Sequence, residues 1–366
     1  MKVLHVVGSR SGFFRISQVF RALRAAGAER QVIVYSGHRE DLVPHDMFLD
    51  ELGLPSPDHV LGVSTGSSTI RTGRSLIALE SIVLRESPDW IFAVGDVDSA
   101  LAAALVARKN GIPLAHLEAG LRHGHGVEEA EINRVLTDQL SDALYVAEPE
   151  TRDHLVGEGI DPDRIHFVGN TAADTALRLR SEASSLDLPS SMGLEEGTYI
   201  VALLTQTDSF PGVVSLEDFL SALDEVAFEA GRPTVLVVDA PAAASVKREH
   251  LEDLLEPITV VHAPSYVELL ALVDGAGLVV TNACEVLDSA TVLGVPCIAI
   301  GDFVLGRTGS LEPGRHLSAD ELAHLPDLAI RTLSESSTPR IPERWDGNSA
   351  PRIAQITMAH RLAAVA

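Results

Sequence analysis

Short apolar runs recur along this chain, each closed by glycine or polar residues and followed by a segment whose apolar positions repeat at helical spacing. Residues 3–7 form the first run, the turn 8–12 closes it, and a helical pattern through Val19, Phe20 and Leu23 follows. The pattern predicts a strand, a tight turn and a helix. Runs at 32–35, 90–94, 114–118, 143–146 and 165–168 read as further strands, separated by helix-length segments such as 99–109. Strands alternating with helices predict a parallel, doubly wound sheet.

Between residues 181 and 198 the periodicity lapses into Ser, Pro, Gly and Glu, which predicts a linker. A second alternation follows, with strands at 199–204, 234–238, 258–261, 278–281 and 296–300 and helices at 216–229 and 285–293. The expected layout is two doubly wound α/β domains, residues 1–180 and 199–352, with an apolar tail at 353–366 placed to pack back on the first. Such sheets take ligands outside the carboxyl ends of their strands, so the residues just after each run are the candidates for chemistry.

Composition fits this layout. A chain of 366 residues exceeds what one core usually supports. With 46% hydrophobic but only 4% aromatic residues, the cores should be built from Ala, Val, Leu and Ile. The formal charge of -24, from 52 acidic and 28 basic residues, argues against nucleic acid or an anionic membrane as partner. An anionic ligand would need local arginines and helix N-termini. Cys284 and Cys297 read as small buried hydrophobes, not as a disulfide or zinc framework. No stretch approaches the ~18 apolar residues of a membrane span, and the first run is too short for a signal-peptide core, so the expected location is cytoplasmic.

Several strand ends carry polar groups. The turn Gly8-Ser9-Arg10-Ser11-Gly12 is either an anion cradle at a helix N-terminus or a plain strand-to-helix turn. Asp96 follows the run 90–94, and Asp98 either joins it at a divalent ion or caps the helix after it. In His116-Leu117-Glu118, strand alternation puts His116 and Glu118 on one face. A carboxylate emerging from an apolar strand needs either a charged partner, for which Arg122 is the near candidate, or a role in proton transfer. The spacing of His116, His123 and His125 fits no common zinc pattern. The run Glu128, Glu129, Glu131 is ordinarily a solvated helix start.

Taken in order, Gly8-Ser9-Arg10, Ser36-Gly37-His38-Arg39-Glu40, Gly95-Asp96, His116-Leu117-Glu118-Ala119-Gly120-Leu121-Arg122, Glu131-Ile132-Asn133-Arg134 and Val168-Gly169-Asn170-Thr171 resemble the non-hydrolysing UDP-N-acetylglucosamine 2-epimerase family. The resemblance implies a GT-B fold with a sugar-binding N-terminal and a nucleotide-binding C-terminal domain. It also implies a UDP-GlcNAc or UDP ligand, no cofactor, and a homodimer. The implied reaction expels UDP with loss of the C2 proton, passes through a 2-acetamidoglucal, and re-adds UDP after protonation on the other face. C2–H is not adjacent to a carbonyl, so its acidity must come from positive charge developing at C1, and the site needs carboxylates near C2 and a cradle for the diphosphate.

By resemblance, Asp96, Glu118 and Glu131 stand at the catalytic acid positions. Arg10, Arg15, His38, Arg122, Asn133, Arg134, Thr205, Asn282, Ala283, Cys284, Ser289 and Arg307 stand at substrate-binding ones. The second half departs from the family pattern. Thr205 replaces a histidine, Cys284 and Glu285 replace two glycines that present N–H groups to the diphosphate, and Ser289 replaces the ribose-holding glutamate. Beside a divergent 2-epimerase, two readings therefore stand: a hydrolysing epimerase or GT-B glycosyltransferase, and a non-catalytic sensor or accessory subunit.

Overall fold

A computed structural model describes residues 1–38, 46–122, 128–205, 215–301, 315–335 and 340–365. The chain forms two compact units, one of residues 1–175 with 343–366 and the other of residues 176–342.

In the first unit, seven parallel strands run in the order β3-β2-β1-β4-β5-β6-β7. They are β1 (Lys2–Val7), β2 (Arg30–Tyr35), β3 (His59–Val60), β4 (Trp90–Val94), β5 (Leu114–Leu117), β6 (Ala143–Val146) and β7 (Ile165–Phe167). The helices between them are α1 (Arg10–Ala25), α2 (Asp46–Leu52), α3 (Ser68–Glu86), α4 (Asp98–Lys109), α5 (Glu129–Leu140) and α6 (Pro149–Gly157). The central strands are buried on both faces, so their residues are mostly apolar without alternation, with His5 of β1 and His116 of β5 as buried exceptions. Leu4, Val6, Val32, Val34, Ile91 and Ala93 pack on one face against Leu79, Val83 and the alanines of α4. Small residues on α4 let helix and sheet approach closely. The chain reverses its direction of winding between β1 and β4, and a doubly wound sheet opens its binding crevice at that point.

The boundary between the units falls inside α7 (Thr171–Ser185). Residues 181–198, read from composition as a linker, hold the end of α7 and a short helix, α8 (Leu188–Ser191). The second unit's sheet has the order β10-β9-β8-β11-β12-β13. Its strands are β8 (Ile200–Leu204), β9 (Thr234–Val238), β10 (Thr259–His262), β11 (Leu278–Thr281), β12 (Cys297–Ile300) and β13 (His316–Leu317). It is covered by α9 (Leu216–Ala230), α10 (Ala240–Glu249), α11 (Tyr266–Asp274), α12 (Cys284–Leu293) and α13 (Leu325–Ser334).

The last helix, α14 (Ser349–Val365), returns to the first unit and packs on α1. Buried Asp174 receives its N-terminus, accepting from Ser349 Oγ at 3.0 Å and from the Ala350 N–H at 2.8 Å, and Tyr145 Oη meets Thr357 Oγ1 at 2.9 Å. Gly169 (φ +96°) lies under the segment that leads into this helix, where a Cβ would stand 2.1 Å from the Arg344 carbonyl oxygen. Only glycine fits both that backbone angle and that contact.

Candidate active site

The acids implied by resemblance gather at the carboxyl ends of adjacent strands. Val94 of β4 lies opposite Leu117 of β5, so Asp96 and Glu118 leave the sheet side by side. Glu131 comes from the first turn of α5. Arg134, one helical turn further on, pairs with Asp96 and, at 3.3 Å, with Glu131. Asn133 donates through Nδ2 to the Asp96 carbonyl at 2.9 Å and to Asp98 at 3.2 Å. One helix start thus holds the β4–α4 loop by both backbone and side chain.

Glu118 is anchored elsewhere. Its carboxylate pairs with Arg15 of α1, and both side chains are under a tenth exposed. The partner expected from proximity, Arg122, is engaged below it, with Asp138 at 2.8 Å and Glu158 at 2.6 Å. The expectation that His116 and Glu118 share a strand face also fails. β5 ends at Leu117, and Glu118 takes a left-handed conformation, φ +61°, turning its side chain out of the alternation. A non-glycine residue held at such an angle costs about 1–3 kcal/mol and marks a place where orientation matters more than local comfort.

His116 is fully buried and tied at both ring nitrogens, Nδ1 to Asp138 at 2.6 Å and Nε2 to the Gly95 carbonyl at 2.9 Å. Burial pushes the Asp138 carboxyl up, but the nearby His116 and Arg122 charges outweigh it and hold it below the usual carboxylate range. Asp98 neither caps α4, whose N-cap is Val97, nor faces a metal ligand set. It accepts from Ser68 Oγ at 2.5 Å and Arg71 Nε at 2.6 Å, joining α3 to the start of α4. Among the described residues no cluster of His, Cys, Asp and Glu is arranged to hold a metal ion.

The remaining positions divide by unit. Arg10 opens α1, exposed, with its guanidinium 4.6 Å from the Phe48 ring centroid. Ser9 caps that helix through its side chain, and His38 lies half-buried beside Gly62. In the second unit the sheet reverses between β8 and β11, where Thr205 and Asn282 clasp each other. The Thr205 N–H donates to Asn282 Oδ1 and Asn282 Nδ2 to the Thr205 carbonyl, both at 2.8 Å. Ala283 is the N-cap of α12 and Cys284 its first residue. Ser289 lies apart, buried on α12, with its hydroxyl on the Glu285 carbonyl at 2.6 Å and 2.9 Å from Tyr266 Oη. Arg307, His123 and His125 fall outside the described residues.

Sequence reasoning gave no role to two groups, Asp138 and Asn170, the second quoted only as part of the motif 168–171. Asp138 carried no signal beyond being an acid on a helix. Asn170 caps α7 through Oδ1, which accepts from Ala172 and Ala173, while its buried Nδ2 has no hydrogen-bond partner among the described residues. Asn170 lines a small recess with Glu118, Tyr145 and Gly169.

Two tandem parallel sheets, each reversing at a point lined by polar residues, define a two-domain α/β enzyme of the GT-B class. A model of the UDP-N-acetylglucosamine 2-epimerase family matches residues 21–358, and the chain belongs to that family of isomerases. It is 33% identical over 304 residues to the UDP-2,3-diacetamido-2,3-dideoxy-D-glucuronate 2-epimerase of Pseudomonas aeruginosa, covering 82% of this chain and 84% of that one. To the UDP-N-acetylglucosamine 2-epimerase of Methanocaldococcus jannaschii it is 29% identical over 308 residues, covering 82% and 84%. The crystal structure of a Methanocaldococcus jannaschii UDP-GlcNAc 2-epimerase in complex with UDP-GlcNAc and UDP superposes with a TM-score of 0.84 at 27% identity, over 98% of this chain and 100% of that one.

Proposed function

We propose that this chain inverts C2 of a UDP-linked 2-acetamido sugar, interconverting UDP-GlcNAc and UDP-ManNAc by elimination and re-addition of UDP through a 2-acetamidoglucal. The observation that carries the reading is the separate anchoring of the acids. Asp96 and Glu131 share Arg134, while Glu118 is held by Arg15. Removing a proton from one face of C2 and returning one to the other requires two independently placed carboxyl groups. In the forward step the C2–H electrons form the C1=C2 bond as the C1–O bond to the diphosphate breaks. In the return step a proton adds at C2 and the diphosphate oxygen re-forms the bond to C1.

The similarity to the Pseudomonas aeruginosa enzyme supports a second substrate, a UDP-linked 2,3-diacetamido uronate, for the same C2 chemistry. Incubation with each sugar nucleotide in heavy water, followed by proton NMR, tests both. Deuterium at C2 with a mixture of epimers is expected for one of them. No label and no change of configuration with either would overturn the reading, and stoichiometric release of UDP would mark a hydrolysing enzyme.

A homodimer belongs to the same proposal. Ile70, Ile77 and Leu84 of α3 are 46%, 70% and 63% exposed at seven-residue spacing, which places them on one stripe of the helix. Sedimentation velocity is expected to show a dimer that Ile77→Asp shifts toward monomer; a wild-type monomer at micromolar concentration would count against it.

A further inference from the structure

Asp138 and His116 are wholly buried, and beyond their contact with each other their side chains bond to the loops that carry the acids. His116 Nε2 holds the carbonyl of Gly95, the residue before Asp96. Asp138 Oδ2 accepts the N–H of Gly120, two residues after Glu118, at 3.2 Å, and Arg122 adds a 2.8 Å contact from the same loop. Both loops depend on left-handed backbone, with Gly95 at φ +67°, Glu118 at +61° and Gly120 at +82°. Strained segments of this kind keep their geometry only when their surroundings over-determine it. The fold itself does not require a charge here, since an apolar pair of similar volume in such a place is often as stable or more so. Beside the Gly95 N–H to Leu117 carbonyl bond at 3.3 Å, this pair bolts one loop to the other through a 2.6 Å contact.

We propose that the Asp138–His116 pair is a positioning device that sets the placement of the Asp96 loop relative to the Glu118 loop from beneath the site, without touching substrate. The inference deepens the C2-epimerase reading and rests on it for its kinetic consequence, but its structural core can be tested alone. A catalytic group displaced by about 1 Å can lose about 100-fold in rate.

In Asp138→Asn the shape is kept and the charge is lost. The expected result is a C2 exchange kcat about 10- to 100-fold below wild type with KM within about threefold. Amide hydrogen exchange should accelerate at residues 95–97 and 118–121 and stay unchanged in the rest of the unit. His116→Phe should loosen the Gly95 side alone, because Asp138 still holds Gly120. Unchanged exchange in both loops of both folded variants overturns the proposal, as does a KM rise at constant kcat. Global unfolding of both variants also overturns it, since the pair would then serve the fold as a whole. A wild-type enzyme that labels neither sugar nucleotide sinks the epimerase reading, while the loop-exchange result still decides the positioning role.

Discussion

Glu118→Gln is expected to lower the rate of deuterium uptake at C2 by about 100- to 10,000-fold, the range lost when a positioned acid or base is removed. Gln keeps the size and one acceptor oxygen for Arg15 but cannot exchange a proton at useful rates. The charged pair with the buried Arg15 is weakened, so stability should fall by about 1–3 kcal/mol, a change visible by calorimetry and small beside the kinetic loss. The comparison with Glu131→Gln is informative. There Arg134 keeps Asp96 as a partner, so the stability change should be smaller while the activity loss shows whether Glu131 takes part in proton transfer. A Glu118→Gln enzyme within threefold of the wild-type exchange rate would remove this residue from the chemistry.

The second large effect concerns pH. Burial lowers His5 from an ordinary 6.5 to about 4, against a weaker opposing contact with Gln31, so its neutral form is favoured in the fold. Burial raises Asp174 from 3.8 to about 6, against the opposing hydrogen bonds from Ala350 and Ser349. The signs are opposite. Between pH 4 and 6.5 the unfolded chain binds more protons at position 5 than the native one, so this contribution is complete above 6.5 and lost as the pH falls toward 4. Between 3.8 and 6 the native chain binds more protons at Asp174, so its penalty grows as the pH rises through that window. Each displacement corresponds to about 3 kcal/mol, and in the wild type the two slopes nearly cancel.

Single variants separate them. Relative to wild type, His5→Phe should gain up to about 3 kcal/mol as the pH is lowered from 6.5 to 4, and Asp174→Asn should lose a similar amount from 6 to 4. Urea unfolding at four or five pH values measures both differences, and other titrating groups drop out of them. A difference flat to within about 1 kcal/mol for either variant would mean that its environment in solution is more hydrated than the fold implies.

The sheets were readable because their strands are buried on both faces. Runs such as 90–94 and 143–146 are apolar from end to end, 234–238 and 278–281 carry a single threonine at one end, and the strands begin and end where the runs do. Two-residue edge strands at His59–Val60 and His316–Leu317 left no such run, since an edge carries polar residues freely. Residues 181–185, read with the linker, belong to α7, because Ser and Glu on the exposed turns of a helix look like loop composition.

At the site, the acids could be placed at strand ends, but their partners could not. Arg15 reaches Glu118 across 103 positions of chain, and Asp138 reaches Gly120 from the buried side of a helix. The left-handed turn at Glu118 was invisible for a different reason. Glutamate has no local preference for that angle, and only the tertiary bonds around it hold it there.

The acid-bearing unit is assembled from two separate stretches of chain, residues 1–175 and 343–366. In synthesis from the N-terminus, residues 176–342 emerge before α14, and Asp174 receives the start of that helix only once it has been made. A chain that stops at residue 342 should therefore have a second unit that still folds and a first unit that does not. Limited proteolysis of a chain truncated there should leave residues 176–342 as the resistant fragment.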